Sequence, residues 1–261
     1  MHEIFALLVV KIMETIGAFI PLILILLIIT FFVLIIRSSN KKYKSIDLNF
    51  DNYKNSNSLN KTFKFILYIL LVSQLIYFIA EIFYLFTISK TNIDFNRAET
   101  IEYFFTIYAT PFIFLTVVGF IFAAIWIYRV NYNVRCLGAT RLIFTPGTSV
   151  LWYFIPIANL WKPYQAMKEI FIKSHNLNEN VDKINNAPSF FPLWWFCWIV
   201  GSIVTQAELR LIARAQTIDD IIIYSVIGII SSTILLVNWF LFFKIVNQIN
   251  MMQNFISNNK S

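Results

Sequence analysis

Pro156, Asn159, Pro163, Tyr164 and Glu169 fall together in the stretch WYFIPIANLWKPYQAMKEI, residues 152–170. Proline lacks an N–H, and the ring of Pro156 would clash with the carbonyl of Trp152, so a helix through this point is kinked or ended. The Asn159 amide can bond the backbone groups so freed or cap a new turn. Pro163 suits the first turn of a second helix, where a missing N–H costs nothing. Tyr164 and Glu169 then add a phenol and a carboxylate, and Arg129 and Asn133 arrive from the end of the preceding apolar run. Together they could form a small polar site, with Arg129 pairing to Glu169 or to a lipid phosphate. They could equally satisfy opened backbone and lock two helices together.

Glu81 is a second lead. It lies inside an apolar run, where a charged side chain costs about 2.5–3.5 kcal/mol on insertion scales. Gln74, Tyr77, Phe78, Glu81 and Tyr84 fall near one helical face. That stripe either lines a pathway and holds a proton, or bonds to Tyr and Arg neighbours. Other chemistry is thinly represented. No phosphate loop, Gly-x-Ser-x-Gly elbow or His-Glu-x-x-His occurs, and the 2 histidines, His2 and His175, stand far apart. Neither a metal nor a cofactor is expected.

The elements that must position these residues are membrane spans. The chain is 58% hydrophobic and 13% charged, with 27 Phe, 12 Tyr and 7 Trp, and its mean hydropathy is +0.68. A span needs roughly 20 apolar residues. Gly17–Ile36, Phe65–Ile88, Phe104–Tyr128 and Ile221–Phe243 meet that, and Phe190–Ala207 is a shorter fifth rich in tryptophan. Gly17–Ile36 is too long for a signal core and lacks a small-residue cleavage pattern, so it reads as an uncleaved anchor. The net charge of +7 is spread through the loops between runs, which fits membrane orientation and not nucleic acid. Cys136 and Cys197 sit in unlike surroundings, and no disulfide between them is expected.

Val150–Trp161 is short for a straight span and contains Pro156 and Asn159. If it dips and returns, segments 37–64, 129–141, 162–189 and the C-terminus share one face with 16 of the 21 Lys and Arg. If it crosses, the division is 12 against 9. The positive-inside rule favours the first, with the N-terminus outside and the C-terminus cytoplasmic in the inner or plasma membrane. Residues 38–61, rich in Asn, Lys and Ser, read as a mobile loop. Tyr164–Ser174 reads as an amphipathic helix lying on the membrane surface, and the stripe Ile245, Ile249, Met252, Ile256 as another. Gly228 and Ser232 offer a close-packing face, and Asn238 a bond to a neighbouring span.

The pattern Pro156-x-x-Asn159-Leu-Trp-Lys-Pro163-Tyr164-Gln165-x-Met167-x-Glu169-Ile170 resembles the hallmark of bacterial multi-pass proteins grouped as domain of unknown function 4328. Trp126-x-Tyr128-Arg129, Asn133, Pro146-Gly147 and Trp194-Trp195 agree in order. The resemblance covers about 104–252 and implies a multi-pass helical protein, with no activity, ligand or cofactor attached.

The expectation is therefore an all-α integral membrane helix bundle, with about five transmembrane helices and a proline-broken re-entrant or interfacial segment. Residues 1–64 form an anchor helix and loop, and 65–261 the bundle. The expected partners are the lipid bilayer and either another membrane protein or a second copy, with no nucleic acid. Three functions stay open: a non-enzymatic protein that organises or binds lipid or partners, a small transporter or channel, and a lipid-active enzyme.

Overall fold

The computed structural model describes residues 49–90, 95–178 and 182–260; the expected anchor Gly17–Ile36 lies outside them. All regular structure among the described residues is helical. The α-helices are α1 (Asn57–Lys90), α2 (Phe95–Cys136), α3 (Pro146–Leu151), α4 (Lys162–Asn176), α5 (Phe190–Ile212) and α6 (Ile218–Lys260). Short 3-10 turns cover Phe50–Asn52, Trp152–Phe154 and Ala158–Leu160. Four helices are long and apolar enough to cross a membrane: Asn57–Ser89, Ile113–Cys136, Phe190–Ile212 and Ile218–Lys260. This is a membrane protein built from helices.

Local chemistry sets the helix ends. Gly138, at φ 105°, follows α2 in the left-handed conformation, and the N–H of Ala139 reaches back to Val134 O at 3.1 Å. That is the glycine-terminated Schellman closure. α3 starts at Thr145, whose hydroxyl accepts the Thr148 N–H, with Pro146 in the first turn. α6 starts in a reciprocal cap: Thr217 Oγ1 accepts the Asp220 N–H, and Asp220 Oδ2 accepts from the backbone of Gln216 and Thr217.

α6 packs along α5 and α1, and α1 also meets α2. Phe63, Trp126 and Phe242 bring α1, α2 and α6 together, with ring centroids 5.7 to 6.3 Å apart. Trp194 of α5 stacks on Phe242 at 5.6 Å. α1 begins at the end of the bundle where α2 and α6 finish, since Asn133 bonds Lys54 and Ser56 and Trp126 bonds Asn250. α5 leaves from that same end, where Lys244 lies 4.4 Å over the Phe190 ring. The opposite end is closed by Tyr84, Ile88, Ile221 and Tyr224. Residues 137–189 thus begin and finish at one end.

α2 has 42 residues and α6 has 43. At 1.5 Å per residue each is about 60 Å long, twice the ~30 Å of a bilayer's hydrocarbon. The overhanging ends pack into a helical cap with α4. Here the structure departs from two expectations. The stripe Ile245, Ile249, Ile256 is not laid on a surface but continues α6 and is buried, because its interleaved amides find partners: Gln253 donates to Val130 O and Ser174. Residues 57–61 are not loop but the first turns of α1, and Ser56 and Asn60 are buried. α4 does bury one face, through Met167, Ile170 and Phe171, and that face meets α6 and α2.

Candidate functional site

The segment between α2 and α5 is divided into short pieces. α3 tightens into the 3-10 turn Trp152–Phe154, the chain bends at Ile155, and a second 3-10 turn leads into α4. Pro156 is exposed at the bend, and Pro163, buried, occupies the first turn of α4. The Asn159 N–H bonds Ile155 O at 2.7 Å. Its side-chain oxygen is buried without a partner among the described residues, as is the Trp152 indole nitrogen. α5 holds the turn from outside: Trp195 donates its indole N–H to Leu160 O at 2.7 Å. Ile157, Leu160 and Trp161 remain 72%, 52% and 43% exposed, an apolar tip.

Glu169, Arg129 and Tyr164 are not joined. Glu169 accepts the backbone N–H groups of Ile143 and Phe144 at 2.6 and 3.0 Å. The carbonyl of Phe144 in turn accepts from Arg135 and Asn131. Lys173 donates to Thr140 O and Lys260 to Leu137 O. The loop after α2 is therefore clamped from α2, α4 and α6. Arg129 is half-buried within electrostatic reach of Tyr132. Tyr164 packs against the core. Asn133 serves the entry to α1: its amide donates to Lys54 O at 2.9 Å and Ser56 Oγ at 2.8 Å.

Beside the bend lies a recess of about 340 Å³. Phe120, Ala123 and Ile127 come from α2, Tyr153 and Phe154 from the broken segment, Trp194 and Trp198 from α5, and Asn238 and Trp239 from α6. Phe120 meets Trp198 edge-on at 5.7 Å and Trp239 at 6.2 Å. Asn238 contributes the one side-chain amide in the lining, and its nitrogen donates to Trp194 O at 3.0 Å. The lining residues of α2, α5 and α6 all lie in candidate spans.

Glu81 and Gln74 of α1 do not line this recess, and both are buried. Glu81 accepts a hydrogen bond from Ser232 of α6 and one from Tyr77. A second carboxylate, Glu208 of α5, meets it over Gly228. A Cβ built on Gly228 would lie 2.8 Å from Glu81 Oε1 and 2.9 Å from Glu208 Oε1. The two oxygens are no farther apart than the sum of those lengths. Glu208 bonds Ser231, which shares a 2.8 Å hydrogen bond with Thr205.

Sequence reasoning missed Glu208 because the fifth run was ended at Ala207. The signal was available: α5 runs on to Ile212, and Glu208 follows Thr205 at helical spacing. The recess had no such signal, since its walls come from separate segments.

A family model described as Domain of unknown function (DUF4328) matches residues 89–251. None of the curated proteins or solved structures compared with the chain matches it.

Proposed function

The chain belongs to the DUF4328 family, and on that premise we propose that it is a non-enzymatic multi-pass membrane protein that binds a lipid chain beside its broken segment. The recess of about 340 Å³ carries this reading. It falls within the size of pockets that hold small apolar ligands. Most of its aromatic walls stand in helices whose natural solvent is lipid tails, and the nitrogen of its one side-chain amide is already bonded. Such a lining selects hydrocarbon over headgroups.

In this reading the protein has five spans, counting Gly17–Ile36, with its N-terminus outside and its C-terminus cytoplasmic in the inner or plasma membrane. Residues 146–161 dip into the cytoplasmic leaflet and return. The support is threefold: residues 137–189 begin and finish at one end of the bundle, that end's segments hold 16 of the 21 basic residues, and Ile157, Leu160 and Trp161 present apolar surface at the tip. A partner protein or second copy would meet the clamped cytoplasmic cap.

Native mass spectrometry of the protein released from nanodiscs tests the lipid site. Wild type should retain a lipid adduct that Ala123→Trp, which fills the recess, loses while its melting temperature is kept. Equal retention by both, or none by wild type, rejects the site.

Transport is the second reading, favoured by the meeting of Glu81 and Glu208 inside the bundle. It requires ion or solute flux in vesicles that Glu81→Gln abolishes, and vesicles equally tight with and without the protein remove it. A lipid-active enzyme has the least support, because Glu169, its one candidate general base near Arg129 and Tyr164, is committed to backbone N–H groups.

A further inference from the structure

We propose that Glu81 and Glu208 form a cation site inside the membrane, which holds one exchangeable positive charge, a proton or a sodium ion, between α1, α5 and α6. The site is distinct from the apolar recess and does not depend on it.

Three helices build it. Glu81 comes from α1 and Glu208 from α5, and α6 contributes a glycine where they meet. Any side chain at Gly228 would occupy the space that both carboxylate oxygens reach, 2.8 and 2.9 Å from its Cβ position. Around the pair the partners are neutral hydroxyls: Ser232 and Tyr77 on Glu81, Ser231 on Glu208, and Thr205 behind Ser231. No described Lys, Arg or His side chain bonds either carboxylate. Ser225, three residues before Gly228 and on the same face of α6, is 6% exposed, and its Oγ has no partner among the described residues. It is a buried oxygen with unused bonding capacity, one turn from the pair.

The charge balance demands a ligand. Glu81 is buried and Glu208 half-buried, so two ionised carboxylates meeting here would repel one another with little water to screen them. Inside a membrane an uncompensated buried charge is costlier still. One proton on either carboxyl group resolves this. A sodium ion resolves it with the same oxygen donors, since hard cations take carboxylate and hydroxyl oxygens. The titratable group facing the pair is Tyr77. Tyr84 and Tyr224 stand in the neighbouring apolar cluster. Arg210, two residues beyond Glu208, projects exposed from another side of α5.

Carbodiimide labelling of the full chain in nanodiscs, read by peptide mass spectrometry, tests the site, because the reagent modifies protonated carboxyl groups in apolar surroundings. Glu81 or Glu208 should be labelled at mildly acidic pH, and more slowly as pH rises. Protection by sodium, against choline at equal ionic strength, identifies a sodium site; labelling that follows pH and ignores sodium identifies a proton site. Glu208→Gln removes the like charge and should lower Glu81 labelling at neutral pH. Gly228→Ala, which keeps both carboxylates but fills their cradle, should change the labelling of both. The proposal is overturned if neither residue is labelled at acidic pH, if labelling ignores both pH and sodium, or if both variants label as wild type does.

Discussion

Trp126 donates its indole N–H to the amide oxygen of Asn250 at 2.9 Å, across 124 positions of chain. Both residues are buried, and the bond fastens the late part of α6 to the core of α2. The Asn250 amide nitrogen has no partner among the described residues, so the indole is what keeps this side chain bonded at all. Trp126→Phe retains the ring packing with Phe63 and Phe242 but leaves the amide wholly unsatisfied. The expected cost is about 1–3 kcal/mol, read as a lower thermal midpoint in detergent. Trp126→Phe with Asn250→Leu should recover part of that loss, and an unaltered midpoint in the single variant would refute the role.

Glu169→Ala removes the acceptor of two adjacent backbone N–H groups, Ile143 and Phe144. Ile143 is 83% exposed and can turn to water, so the loss sits near 1 kcal/mol. Local opening is the sensitive readout. Trypsin should cut at Arg141 several-fold faster in Glu169→Ala than in wild type, with Glu169→Gln between them. Equal cutting in all three would show that the loop is held elsewhere.

Asn133→Ala frees the entry to α1. The Asn133 side chain accepts the Lys54 N–H at 3.3 Å and donates to Lys54 O and Ser56. Losing these bonds, about 0.5–1.5 kcal/mol each, should accelerate hydrogen exchange at Lys54 by at least about fivefold. Exchange over α5 should not change, and a uniform acceleration would mean global destabilisation instead.

Cysteine accessibility tests the proposed orientation. Native Cys136 and Cys197 are both buried, so a probe at an exposed position reports cleanly. Asn185→Cys should react only from the cytoplasmic side and Gln216→Cys only from outside. Reaction of both from one side would mean that α5 does not cross, and a reversed pattern would invert the topology.

The four described helices of membrane-crossing length could be read from apolar runs, because hydrocarbon depth writes a long, uncharged signature. Their ends could not. Asn131, Asn133, Asn250 and Gln253 look like loop residues, yet all are buried, because each meets a backbone or side-chain partner from outside its own helix. The same blindness turned Asn57–Lys61 into linker. Pro156 lies at the bend and Pro163 in the first turn of α4, and proline acts on its own backbone whatever surrounds it. Glu169 was legible as a residue to watch but not in its role, which depends on the loop after Cys136 folding back over α4. Glu81 announced itself by charge; that it has a companion from α5 required three helices to be placed together.

From Gly228 to Lys260, α6 contains neither proline nor a further glycine, and so lacks a natural hinge. One end of this shaft is Gly228, over which Glu81 and Glu208 meet, and the other, roughly 50 Å away, grips the Leu137 carbonyl through Lys260. A rod of that stiffness does not absorb a twist locally. A change of charge beside Gly228 would therefore be felt as torque on the loop after α2, at the far end of the same rod.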